Sequence, residues 1–119
     1  MSKMQKANMS QPHEKRPFEK GQLELISMGG LTFGRATFHP GWKWSTCVKP
    51  IAKTKSCEAP HLACFVSGRL HVVMDDGSEM DFGPGDLSLV PPGHDAWVVG
   101  NESVVMIDVS GSAEYSKNK

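Results

Sequence analysis

Along this chain apolar and polar residues alternate in short runs, and the runs are broken by Gly, Pro and Asp rather than continued at a helical interval. Runs of strand length occupy residues 23–28, 31–38, 42–49, 61–67, 69–75, 79–82, 87–90, 95–99 and 103–109. Between them stand Gly29-Gly30, His39-Pro40-Gly41, Asp76-Gly77 and Gly83-Pro84-Gly85-Asp86, residue types that reverse a chain cheaply. Asp76-Gly77 predicts a two-residue type I′ hairpin, with positive φ at both central positions. Strands joined by short turns at this spacing predict an all-β, mostly antiparallel sandwich or barrel.

The flanks read differently. Residues 1–20 are rich in Lys, Gln, Ser and Glu without apolar periodicity, which predicts a flexible N-terminal segment, and residues 111–119 predict a similar C-terminal tail. Residues 21–110 remain as one barrel domain, since 119 residues suffice for a single core. Formal net charge is zero and Lys and Arg form no long run, so neither nucleic acid nor an anionic membrane is an expected partner. No apolar run reaches transmembrane length and residues 1–20 lack the apolar centre of a secretory signal, so the cytoplasm is the expected location. Three cysteines, Cys47, Cys57 and Cys64, are an odd number without disulfide-framework spacing and are read as reduced thiols.

Chemistry concentrates in two stretches. One runs Lys55-Ser56-Cys57-Glu58-Ala59-Pro60-His61 into an apolar run that ends before Gly68; the other runs from Gly85 through Pro91-Pro92-Gly93-His94 to Trp97. In an extended strand, side chains two apart share a face, so Lys55, Cys57 and His61 align if no bulge intervenes, and His94 aligns with Ala96. One thiolate and two imidazoles suit zinc, which in catalytic sites commonly keeps three protein ligands and an open position. Iron, nickel and copper accept the same donors. The bland readings stand beside this one: free cysteine is among the most buried residue types, and His94 after a Pro-Pro-Gly corner can simply face solvent. Cys64, of opposite parity to Cys57, reads as a small buried hydrophobe beside Leu62 and Val66, and Cys47 as structural.

The two stretches resemble the paired motifs of the cupin superfamily, G(X)5HXH(X)3,4E(X)6G and G(X)5PXG(X)2H(X)3N, in its small single-domain form. Gly85, Pro91 and Gly93 fall on the second motif, whereas Ala96 stands on its His column and Gly100 on its Asn column. Counting back from Gly68 in the first motif, His61 falls on the Glu column, Cys57 on the second His column and Lys55 on the first. The resemblance implies a double-stranded β-helix, or jelly-roll, barrel with a divalent transition metal inside it, an altered ligand set and a homodimeric assembly. Covering the edge strands of so short a barrel argues for a dimer as well.

Three tryptophans, Trp42, Trp44 and Trp97, are candidates for the wall of a ligand pocket, or alternatively for closing the barrel or a dimer contact. Lys55 can orient an acidic ligand or merely reach solvent. Asp95 is a candidate acceptor for a metal-bound imidazole, although neighbours in a strand point to opposite faces. The functional expectation is a cupin barrel that binds a divalent metal, zinc favoured, at Cys57, His61 and His94, together with a small-molecule ligand, and that extends to a metal-dependent enzyme of unassigned reaction. The alternatives are a metal-free barrel that binds or senses a small molecule without turning it over, and a redox-responsive thiol protein, which requires an exposed Cys57 of lowered pKa.

Overall fold

A computed structural model describes residues 3–110 and contains nine strands and two helical turns. The strands are β1 (Glu14–Phe18), β2 (Gly21–Met28), β3 (Leu31–Phe38), β4 (His61–Ser67), β5 (Leu70–Met74), β6 (Glu79–Phe82), β7 (Leu87–Val90), β8 (His94–Val98) and β9 (Val104–Ser110). They form a six-stranded sheet in the order β1-β2-β3-β9-β4-β7 and a three-stranded sheet in the order β6-β5-β8, paired antiparallel throughout. This is the all-β, antiparallel architecture the alternating pattern predicts, in the jelly-roll form that the cupin resemblance implies.

Inward positions alternate as a half-buried strand requires. On β4, His61, Ala63 and Phe65 are buried while Leu62, Cys64 and Val66 are exposed. On β9 the inward set is Val104, Met106 and Asp108. Val104 and Met106 join Leu23, Leu25, Phe38, Ala63, Phe65, Leu70 and Val72 in one apolar core between the sheets.

Three expectations need correction. Residues 42–49 form no strand: after Trp42 the chain makes two four-residue helical turns, α1 (Trp44–Cys47) and α2 (Lys49–Ala52). Trp42 and Trp44 imitate strand alternation, but the burial of Trp44, Cys47 and Val48 follows the i, i+3, i+4 spacing of a helix face. Pro50 sits in the first turn of α2, where its missing N–H costs nothing.

The segment 1–20 is not wholly outside the fold, because Glu14–Phe18 pairs with β2 as the edge of the large sheet. Ahead of it, the His13 N–H donates to the Leu25 carbonyl at 2.8 Å, and Met9 and Glu24 both accept from Arg35. The segment 111–119 lies outside the described residues.

The Asp76-Gly77 turn is also of a different type. Only Gly77 has positive φ, at 92°, and its N–H donates to the Met74 carbonyl, so the loop is a tight turn closed by a left-handed glycine. Asp76 stays at negative φ and spends its carboxylate on the Ser78 N–H and hydroxyl.

Candidate metal centre

The interior of the barrel brings Cys57, His61 and His94 together. All three are buried, and one ligand atom from each lies within 4.8 Å of the others. His61 opens β4 and His94 opens β8, so each enters the barrel at the start of a strand whose register fixes its direction. Cys57 belongs to neither strand; it arrives through an isolated antiparallel bridge to His94. Its N–H donates to the His94 carbonyl at 2.7 Å, and its own carbonyl accepts from Gly93 at 2.7 Å. The even-number spacing of 57 and 61 is therefore not what places the thiol, since Ser56 and Cys57 are both buried.

Both imidazoles have their Nδ1 hydrogens occupied. His94 Nδ1 lies 2.9 Å from the Pro91 carbonyl oxygen, an atom that can only accept, so the proton is on Nδ1 and Nε2 carries the lone pair. His61 Nδ1 donates at 2.6 Å to Asp108 Oδ2, leaving Nε2 facing the Cys57 sulfur at 3.8 Å. A carboxylate or carbonyl behind a histidine is the arrangement that fixes ligating imidazoles in their tautomer.

Burial shapes the protonation of the other two donors. It pushes the Cys57 thiol up to about 12, with the charges of Glu58, Asp108 and Asp95 adding to the effect. It pulls His94 down to about 4, and the proximity of His61, ring centroids 5.2 Å apart, adds to that. His94 is thus a neutral donor over the physiological range, and the thiol is protonated until something replaces its proton. A redox role for Cys57, which needs an exposed and acidified thiol, has neither condition here.

The donor set fits a transition metal. A tetrahedral zinc site places its sulfur and nitrogen ligands about 3.3–3.6 Å apart; Cys57 Sγ and His61 Nε2 stand at 3.8 Å, and the three donors, all within 4.8 Å of one another, would draw in around an ion. Two imidazole nitrogens and one thiol offer borderline and soft donors, the preference of zinc, copper and iron rather than of magnesium or calcium.

Beside the donors lies a narrow cavity of about 30 Å3, by the measure in which one water requires about 10–15 Å3. His61, His94 and Ser88 give it a polar end; Phe38, Trp42, Trp44, Phe65, Val72 and other apolar groups make the rest. Cys57 is not on its wall.

Of the other residues singled out from the sequence, Trp42 and Trp44 line the cavity, while Lys55 and Trp97 do not. Lys55 is exposed, because residues 53–60 run as a loop and not as the inward-facing strand that parity assumed. Trp97 has the opposite parity to Ala96 on β8 and packs on the outer side against His71, with Lys43 Nζ 5.0 Å from its ring centre. Asp95 accepts from the Ser45 N–H at 3.1 Å and so anchors α1 to β8 instead of backing a histidine. That role falls to Asp108, which the sequence reading passed over; its signal is a lone acid at the inward parity of the apolar run 104–109. Cys64 keeps the predicted outward parity but is exposed rather than buried.

No family model matches the sequence, and no curated protein does. Solved structures do match the fold. A sugar phosphate isomerase from a cupin superfamily of Silicibacter pomeroyi shares 17% identity over 90% of this chain and 75% of its own, with a TM-score of 0.63. The polyketide cyclase RemF of Streptomyces resistomycificus shares 15% over 92% and 80%, at 0.61. Lactobacillus farciminis oxalate decarboxylase, solved as a formate complex, shares 18% at 0.60; the match covers 86% of this chain but only 32% of that longer one. Likeness at these identities is likeness of fold, and the fold is that of the cupins: a double-stranded β-helix barrel.

Proposed function

We propose that this barrel holds a divalent transition metal, zinc first among them, through Cys57 Sγ and the Nε2 atoms of His61 and His94, and that the cavity beside it receives a small molecule. The observation that carries the reading is the engagement of both Nδ1 atoms: Asp108 and the Pro91 carbonyl take them up, so that Nε2 is the ligating position left on each imidazole of a buried cluster that also contains a thiol. A zinc ion bound there would supply a Lewis acid able to polarise a carbonyl or lower the pKa of water. The chain's own share is to keep His94 neutral, to brace His61 against Asp108, and to close the site with Trp42, Trp44 and Phe65.

The neighbouring cupin folds include an isomerase, a cyclase and a decarboxylase, so the architecture is compatible with turnover and does not choose a reaction. The metal content of protein purified without chelator is the test. We expect near one ion per chain in the wild type and its loss in Cys57→Ala, His61→Ala and His94→Ala. A folded, metal-free wild type that stays metal-free when zinc is added leaves a barrel that binds its ligand without metal.

We also propose that the chain pairs with a second copy through the outer face of β4 and β7. There Leu62 faces Leu89 and Cys64 faces Leu87 in register, with Val66 alongside, and none of the five is charged. Leu87 is 77% and Leu89 78% exposed, on a strand that ends its sheet. An apolar edge of this kind is a liability that self-association removes. The occupant best matched to an uncharged face is the same face of another protomer, related by a two-fold axis. The cytoplasm is the proposed location, on the strength of three unpaired cysteines; among the described residues no helix is long and apolar enough to cross a membrane.

A further inference from the structure

Ser88 carries the one hydroxyl on the wall of the cavity, and it is only 4% exposed. It stands on β7 between Leu87 and Leu89, which face outward, and pairs with Ala63 on β4, so it shares the inner face with His61 and Phe65. Among the described residues its hydroxyl makes no hydrogen bond. Nor is the oxygen sealed in: the sole buried side-chain N or O among those residues that is unpaired and out of reach of a water-sized group is Trp42 Nε1. A single torsion separates Oγ from the backbone, so every staggered well keeps it just above the inner face. A hydroxyl buried at an inward position of an apolar strand costs free energy unless something bonds it, and here the contents of the cavity are what can do so.

The cavity limits what those contents are. In the β4–β7 register His61 faces Val90 and Ala63 faces Ser88, so Ser88 is the diagonal neighbour of His61, a separation of about 7–8 Å. An ion held by the histidines and the Ser88 hydroxyl would thus be two separate polar contacts on one space with room for about two water-sized groups. The wall beyond His61, His94 and Ser88 is apolar, with no Lys or Arg. A divalent ion would already be matched by the Cys57 thiolate and the Asp108 carboxylate behind His61, so an anion would add a charge that the wall does not compensate.

We infer that Ser88 is the chain's own ligand-binding side chain in this cavity, and that the ligand is a small uncharged molecule with two polar atoms on one carbon or on neighbouring carbons, a primary amide being the simplest case. One polar atom bonds the ion and the other hydrogen-bonds with Ser88 Oγ, which can both donate and accept. The role of Ser88 stands on the chain alone; the ion as second contact and the preference for an uncharged ligand rest on the metal reading above.

The experiment is a titration of zinc-loaded and metal-free protein with formamide and with formate, an isosteric uncharged and anionic pair. It is followed by the 15N-resolved backbone amide shifts of β4 and β7 and repeated on Ser88→Ala, with zinc affinity measured for both proteins. Formamide is expected to bind saturably, more tightly with zinc than without, and to move the amides of Ala63 and Ser88 ahead of those of the outer strands. Ser88→Ala should bind it about fivefold more weakly in either form, the loss of one hydrogen bond, while taking up zinc as the wild type does. Equal binding by the variant overturns the role of Ser88. So does an absence of saturable binding to the wild type, which leaves the hydroxyl to a cavity water, or an equal loss of zinc affinity in the variant, which makes Ser88 part of the packing of the metal centre. Amides of Ala63 and Ser88 that stay put while formamide saturates the wild type overturn it whatever the variant does. Formate binding the zinc-loaded protein as tightly as formamide overturns the preference for an uncharged ligand. A protein that takes up no zinc sinks the metal reading instead, and the metal-free titrations still decide Ser88.

Discussion

His94 makes the fold sensitive to acid in a way that can be calculated. Its pKa falls from 6.5 to about 4 because the ring is buried and sits beside His61. Depressed in the folded chain, it binds a proton sooner once unfolded, so its contribution to stability is whole above pH 6.5 and drains away as the pH falls toward 4. Between pH 8 and pH 5 the loss is about 2 kcal/mol by linkage, and it approaches about 3 kcal/mol below pH 4. The perturbation is His94→Gln, which keeps a polar side chain and removes the titration. Urea unfolding in chelator at pH 8 and pH 5 gives the stability of both proteins at both values. The advantage of wild type over variant should shrink by about 2 kcal/mol on acidification, a midpoint change of order 1 M for a chain this size. His71 is shifted the other way by its hydrogen bond to Asp81, so it stabilises the fold at lower pH, but it is common to both proteins and cancels. Equal gaps at the two pH values would refute the claim that His94 is held neutral by burial, and with it the account of a ready-made Nε2 donor.

Three more outcomes follow from the same geometry. Asp108→Asn should weaken zinc binding about 10–100-fold in competition with a chromophoric chelator, because the brace behind His61 loses its charge; unchanged affinity would remove Asp108 from the site. In native metal-free protein at pH 8 a thiol reagent should modify Cys64 quickly and leave Cys47 and Cys57 until denaturant is added, since only the first is exposed and the Cys57 thiol stands at about 12; rapid labelling of Cys57 would contradict its burial. Leu89→Lys should convert a dimer to a monomer in sedimentation velocity at micromolar concentration, whereas a wild type that is already monomeric there ends the proposal of pairing through β4 and β7.

Much of the barrel was legible because alternation and turn residues speak directly. Leu31–Phe38, His61–Ser67, Glu79–Phe82 and Leu87–Val90 have the bounds the sequence predicts. Glu14–Phe18 was not legible, since an edge strand can be held by backbone pairing alone and tolerates Pro17; its polar side chains carry no pattern. The helical turns over 44–52 were hidden because four residues are too few to show a helical period. At the site, residue type and the turn residues around them singled out Cys57, His61 and His94, but the reason for Cys57 was incomplete. A bridge to a segment 37 positions away sets its place, and no local spacing encodes that. Lys55 failed for the same reason, as parity holds only within a strand.

The Cys57–His94 bridge has a consequence for how a metal would come and go. Two of the three donors are tied to each other through main-chain hydrogen bonds before any ion arrives, and the third starts a strand of the core sheet. An ion would therefore be met by a preorganised multidentate chelator. The entropy of gathering the donors is spent in folding and not again in binding, unlike the metal-built domains that unravel when stripped. Stripping the ion should leave a native barrel, so metal occupancy can follow the supply of free ion around the protein without putting the fold at risk.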